Sequence, residues 1–341
     1  MQNDIGQLMM VGFEGTEPSK DFLHFLKEGN IGGVVLFKRN ISSPRQLRGL
    51  VQKLQESVRT PLFIAVDHEG GRVFRMPKPF TSYPPMRELA KLAEKEGPEW
   101  VFRIGLQMAK ELRSCGININ FAPVLDVATN PFNPIIGYRA FSCDPHVVAK
   151  LGCQLIAGLR EGGVMACGKH FPGHGDTNHD SHFTLPMLSH TRKRFDLLEF
   201  IPFRQAIAEQ VPSIMTAHIR IPLLDDQDPA TLSRLIVTNI LRRDLGFSGL
   251  IVTDDLCMAA IAEEMTIADA AVKSIQAGCD VVLVCQGFSE HRRVFERLQD
   301  SFAQGELHAG EVEASLARLQ TLKKIYCRPE VDWPPVSVIG K

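Results

Sequence analysis

Residues 169–182 read KHFPGHGDTNHDSH and hold four of the chain's eleven histidines, His170, His174, His179 and His182. The glycines and Pro172 make this stretch a loop rather than a helix. One chemistry open to such a cluster is metal binding. Helical zinc sites use spacings such as His-Glu-x-x-His, which are missing here, so no metal is expected. The other is acid/base work by Asp180 and His182, two residues apart. A carboxylate beside an imidazole orients the ring and favours its protonated form, which keeps a proton donor near neutral pH. His–Asp contacts on ordinary surfaces look the same in sequence and contribute little.

Two further segments end in charge. FSGLIVTDDLCM carries Asp254 and Asp255 at the end of an apolar run. An Asp fixed at a strand end can attack an activated carbon, an anomeric carbon included, while its neighbour caps a helix. VDHEGGRVFR carries Asp67, Glu69, Arg72 and Arg75. Arg72, Arg75, Arg139 and Lys169 suit hydroxyl, carboxylate or phosphate groups, or else serve as structural salt bridges.

These clusters must be positioned by the elements around them. Short apolar runs are expected as strands at 8–11, 32–37, 62–66, 118–121, 164–168, 213–217, 250–253 and 280–284. Continuous rather than alternating apolar character points to strands buried on both faces. Helical periodicity is expected at 45–58, 99–115, 145–159, 198–209, 234–245 and 310–325. Gly105 is the one residue that weakens the 99–115 pattern. Strand–helix alternation argues for a parallel α/β fold, and eight strands favour a single-domain TIM-like (β/α)8 barrel over a doubly wound sheet. In a barrel the polar clusters that end the third, fifth, sixth (at His218) and seventh strands gather at one mouth. Capping of the following helices explains one Asp easily and the 169–182 segment poorly. The barrel is expected over 1–328, with 329–341 as an extended tail.

Composition narrows the function classes. The chain has 341 residues, 44% apolar and 23% charged, with 38 Lys plus Arg against 39 Asp plus Glu. That balance offers no field for nucleic acid or an anionic membrane. No signal peptide and no membrane-length apolar run are evident, so a cytoplasmic location is expected. The eight cysteines form no Cys-x-x-Cys pair and read as inert, reduced thiols.

KHFPGHGDTNHDSH, VDHEGGRVFR, INFAPVLDV, IGYRAF and FSGLIVTDDLCM, in this order along nearly the whole chain, resemble glycoside hydrolase family 3. The likeness is to its NagZ-type β-N-acetylglucosaminidases of bacterial cell-wall recycling. The resemblance implies a TIM-like barrel and retaining hydrolysis through a covalent glycosyl-enzyme. On matching positions Asp254 would be the nucleophile, His182 the general acid/base and Asp180 its dyad partner. Asp67, Arg75, Arg139, Lys169 and His170 would bind the terminal sugar, with Asp255 and Met258 in support. Retaining glycosidases usually set two carboxyl groups about 5 Å apart; here a histidine takes one of the two roles. Family members with a second domain often draw a Glu acid/base from it; here the donor is expected to come from the barrel.

The function expected is a β-N-acetylhexosaminidase without cofactor, acting as a monomer on GlcNAc β-1,4-linked to anhydro-muramyl units of a glycan or muropeptide. A β-glucosidase or a glycoside phosphorylase of the same family, and a barrel that binds sugars without cleaving them, are the alternatives.

Overall fold

Each expected strand forms: β1 (Met9–Val11), β2 (Gly33–Leu36), β3 (Phe63–Val66), β4 (Ile119–Asn120), β5 (Met165–Phe171), β6 (Ser213–Thr216), β7 (Leu250–Asp255) and β8 (Val281–Val284). The structure, a computed structural model, describes every residue except Met1, His179, His182 and Phe183, with Gln2 and Asn3 described for their backbone only. The strands close in sequence order into a barrel. Met10 pairs with Gly33 on one side and Leu283 on the other, both in parallel register. Residues of β3 and β8 are buried throughout, because the barrel interior covers one face and the helices the other.

The helices are α1 (Lys20–Glu28), α2 (Pro44–Glu56), α3 (Met86–Glu96), α4 (Glu99–Ser114), α5 (Pro145–Glu161), α6 (Arg192–Leu197), α7 (Phe200–Ala208), α8 (Ala259–Ala262), α9 (Ile267–Ala277), α10 (Phe288–Ala303) and α11 (Ala309–Tyr326). Of these, α1, α3, α6, α8, α9 and α10 go beyond the sequence expectation. They are short or strongly charged, or, like α9, present alanines to the core, so their apolar stripe is thin. The helix expected at 234–245 forms over Leu235–Asp244 but is π-wound. Gly105, the apparent flaw in the α4 pattern, is a contact point. A Cβ there would lie 2.8 Å from the Leu155 carbonyl oxygen of α5, and one on Gly158 would lie 2.2 Å from that of Phe102. Two glycines therefore let α4 and α5 approach closely, which offsets the cost of glycine in a helix.

Two strands run further than expected, and this matters for the site. Residues 169–171, read as loop, continue β5, since Ala217 N donates to Phe171 O at 2.7 Å and Leu125 N to Lys169 O at 2.6 Å. Likewise β7 continues through Asp254 and Asp255. Main-chain pairing holds these polar residues extended although their side chains break the apolar pattern.

At the opposite end of the barrel, Lys323 of α11 is buried. Its Nζ donates to Gln7 Oε1 at 2.7 Å and sits 5.2 Å from the Phe63 ring centroid. Burial lowers its pKa from 10.5 to about 8. The folded state therefore disfavours the charged form; the penalty is full below pH 8 and is relieved as pH rises toward 10.5. Lys323→Met is expected to gain on the wild type at pH 7, with the gap narrowing by about 3 kcal/mol between pH 7 and 10.5. Urea unfolding of both proteins across that range checks this; a pH-independent gap contradicts it.

The 329–341 segment packs on the barrel. Trp333 covers Gly116, where a Cβ would meet its ring at 2.2 Å, and Gly340 N donates to Glu111 Oε1 at 2.9 Å. Among the described residues no helix is long and apolar enough to cross a membrane.

Candidate active site

The C-terminal ends of the strands surround a cavity of about 700 Å³. Asp67, Arg75, Arg139, Lys169, His170 and Asp254 all line it, although nearly 190 positions separate the first from the last. Closure of the barrel brings them together, since β3, β5 and β7 all end at this face.

One wall is a buried charge network. Glu69 receives both Arg139 Nε and NH2 at 2.8 Å, a bidentate pair. Lys169 Nζ donates to Glu69 Oε1 at 2.7 Å and to Asp67 Oδ1 at 2.7 Å. Burial pushes the Glu69 carboxyl up, but Arg139 and Lys169 outweigh it and hold the group well below the usual carboxylate range. Burial likewise disfavours charged Lys169, and Asp67 and Glu69 reverse this to raise its pKa. Glu69, Arg139 and Lys169 are therefore ionised at neutral pH, and fixed donors and acceptors face the cavity. Arg75 stands 3.9 Å from Asp67 Oδ2.

His170 is set by Asp126, which is fully buried. Its Nδ1 is 2.7 Å from Asp126 Oδ2, and Arg139 NH2 donates toward its Nε2 at 3.4 Å. The Asp126 carboxylate fixes the ring at Nδ1 and leaves Nε2 turned toward Arg139. Asp126 also receives His174 N at 2.7 Å. Burial lowers the His174 pKa to about 4, which keeps that ring neutral. Its Nδ1 meets Thr177 Oγ1 at 2.7 Å and its Nε2 meets Ser181 Oγ at 3.1 Å. Ala260 N donates to Ser181 O at 3.3 Å. Ser181 is thus pinned between the loop after β5 and the start of α8, and it lines the cavity. Asp180 precedes it, with its carbonyl accepting Thr184 N at 3.2 Å. His182, the expected acid/base, lies outside the described residues.

The two adjacent aspartates divide their work. Asp255 Oδ1 accepts the amides of Cys257 and Cys285, both at 3.1 Å, and so ties the end of β7 to β8. Asp254 faces the cavity, its Oδ1 accepting Asp255 N at 2.8 Å. Burial alone would raise its pKa; His170, His218, the Asp255 amide and Lys169 prevail and hold it below the ordinary value. A carboxylate kept anionic at a cavity wall can serve as a nucleophile or stabilise positive charge.

Several contributors have no role in the sequence reading. Glu69 stands in the VDHEGGRVFR cluster and Asp126 in INFAPVLDV, and only their partners reveal what each does. Arg39 lines the cavity with its guanidinium 4.5 Å over the Phe37 ring, and no motif marks it. Arg72 also lines the cavity, and it donates to the carbonyls of Pro134 and Ile135. The cysteines are free, with Cys115, Cys167, Cys279 and Cys285 buried, and burial pushes the Cys257 thiol up to about 12.

Residues 1–322 match the model of the glycosyl hydrolase family 3 N terminal domain. Beta-hexosaminidase A of Pseudoalteromonas piscicida is 35% identical over 94% of this chain, and the chain spans 60% of that relative's length. A Beta-hexosaminidase of Alkalilimnicola ehrlichii is 40% identical over 82% of the chain and 81% of its own length. NagZ from Neisseria gonorrhoeae, solved in complex with N-trifluoroacetyl-D-glucosamine, superposes with a TM-score of 0.79 at 33% identity, covering 94% of this chain and 97% of that one.

Proposed function

The chain belongs to glycoside hydrolase family 3, and from that premise we propose that it is a retaining β-N-acetylhexosaminidase. The observation that carries this reading is the anionic Asp254 facing the Asp67–Lys169–Glu69–Arg139 network and His170 across one cavity. Fixed charges suit a neutral, hydroxyl-rich ring that needs several directional hydrogen bonds. The acylated glucosamine held by the gonococcal relative supports a 2-acetamido sugar in the terminal subsite.

In this mechanism Asp254 attacks C1 from below as the glycosidic bond breaks. His182, protonated, gives its proton to the leaving oxygen, and Asp180 orients it. Neutral His182 then takes a proton from water, which attacks C1 and frees Asp254. Lys169, Arg139 and Asp67 bind ring hydroxyls, the first two held in place by Glu69; His170, held by Asp126, lines the same subsite. The substrate proposed is terminal GlcNAc β-1,4-linked to the anhydro-muramyl end of a peptidoglycan fragment, in the cytoplasm. Cysteines buried as small apolar side chains support a reducing compartment.

Hydrolysis of a fluorogenic GlcNAc β-glycoside tests the reading. The wild type is expected to cleave it faster than the matching glucoside, with no change in rate or product on adding phosphate. His182→Ala is expected to lose about 10²–10⁴-fold in kcat on a poor leaving group. A preferred glucoside, or a glycosyl phosphate product, overturns it.

A further inference from the structure

We propose that His218 is a positioning residue for the nucleophile: it ties the end of β7 to β6 and so aims the Asp254 carboxylate into the cavity. The proposal rests on Asp254 being the nucleophile.

The need for such a tie follows from the strand pairing. β6 and β7 pair through Ser213–Leu250, Ile214–Ile251 and Met215–Val252, and the pairing stops there. On the other side, the β7–β8 register shifts between Val252 and Asp255. The two aspartates thus lie beyond regular pairing with β6 and next to an irregularity toward β8. Toward β8 the chain is held by Leu256 N on Leu283 O at 3.0 Å and by the Asp255 carboxylate. Toward β6 it is held by a side chain. His218 Nε2 lies 3.0 Å from the Asp255 carbonyl oxygen.

The chemistry of the partners assigns the ring. A carbonyl oxygen only accepts, so Nε2 carries a proton and donates it. Nδ1 lies 2.9 Å from Thr231 Oγ1. Thr231 itself donates to Ala217 O at 2.9 Å and lies 3.0 Å from Thr216 Oγ1. The ring is therefore gripped at both nitrogens, and only 1% of the residue is exposed. Its donor fixes the peptide plane directly after Asp254–Asp255, and with it the direction of the Asp254 side chain. His218 is also among the groups that favour ionised Asp254.

Two amide replacements separate orientation from bulk. His218→Gln can place an N–H near the position of Nε2 and reach the Asp255 carbonyl. His218→Asn can keep the Thr231 contact but is too short to reach Asp255. The readouts are kcat and KM on the fluorogenic GlcNAc glycoside, and the rate of inactivation by 5-fluoro-N-acetylglucosaminyl fluoride. Fluoride leaves without acid assistance, so that rate reports the nucleophile and not His182. Peptide mass mapping locates and counts the label, which corrects for any unfolded fraction.

His218→Asn is expected to lower kcat and the inactivation rate about 10²-fold, with KM within about threefold, as a small misplacement of a reacting group does. His218→Gln is expected to recover at least about tenfold of this. Wild-type labelling rates in His218→Asn, or equal losses in the two variants, overturn the proposal. A wild-type label on a residue other than Asp254 overturns the nucleophile assignment itself, and the proposal with it.

Discussion

Asp254→Ala is expected to lower kcat on the order of 10⁴-fold or more, while the protein still folds and binds GlcNAc. In the proposed mechanism the carboxylate supplies the bond that divides one difficult displacement into two easier ones, and no neighbour can replace it. Asp255 is adjacent in sequence, but its Oδ1 is committed to two backbone amides, and burial raises its pKa. Azide gives the chemical signature. In Asp254→Ala, azide can enter the space left by the carboxylate and attack C1 directly, which inverts the centre and yields the α-glycosyl azide. In His182→Ala the nucleophile remains, so azide intercepts the glycosyl-enzyme and yields the β-azide. Near-normal turnover in Asp254→Ala, or a β-azide from it, removes the assigned mechanism.

The second large effect concerns a residue that touches no substrate in this mechanism. Glu69→Ala is expected to destabilise the protein by about 3–5 kcal/mol, because it leaves Arg139 and Lys169 buried with an uncompensated charge. Glu69 is only 1% exposed and binds both. Asp67 remains as a partner for Lys169, so Arg139 bears most of the loss. KM is expected to rise as well, since this carboxylate holds Arg139 and Lys169 at the proposed sugar subsite. The sign of the pH dependence follows from the depressed pKa of Glu69. Its contribution is present above its ordinary value of 4.5 and is lost as pH falls through the much lower folded value. The stability gap between wild type and variant should therefore shrink in acid. Urea unfolding at pH 7 and at pH 4 measures both; a loss below about 1 kcal/mol at pH 7 contradicts the argument.

Much of the fold was legible along the chain. Strands buried on both faces are nearly pure apolar runs, so β3 and β8 announce themselves within a residue at each end. Helices are written more faintly. Helix α9 is rich in small side chains and α10 in charged ones, and neither carries a broad apolar stripe. Gly105 weakened the α4 pattern for a related reason: a glycine is costly within one helix, and only the crossing with α5 shows what it permits. The ends of β5 and β7 were set too early because pattern ends where polarity begins. Main-chain pairing continues for as long as a neighbouring strand offers partners.

The same division runs through the site. Residue types and motif order along the chain determined which groups are present to do chemistry: Asp254, Lys169, His170, Arg139 and Asp67 are recognisable one by one. Tertiary structure alone decided their states and duties. Glu69 and Asp126 became the supports of the charged cavity wall, Asp255 a main-chain anchor beside Asp254, and His218 the tie between β6 and β7. The reason is physical. A side chain's charge and aim depend on burial and on partners brought near by barrel closure, and distance along the chain does not encode that proximity.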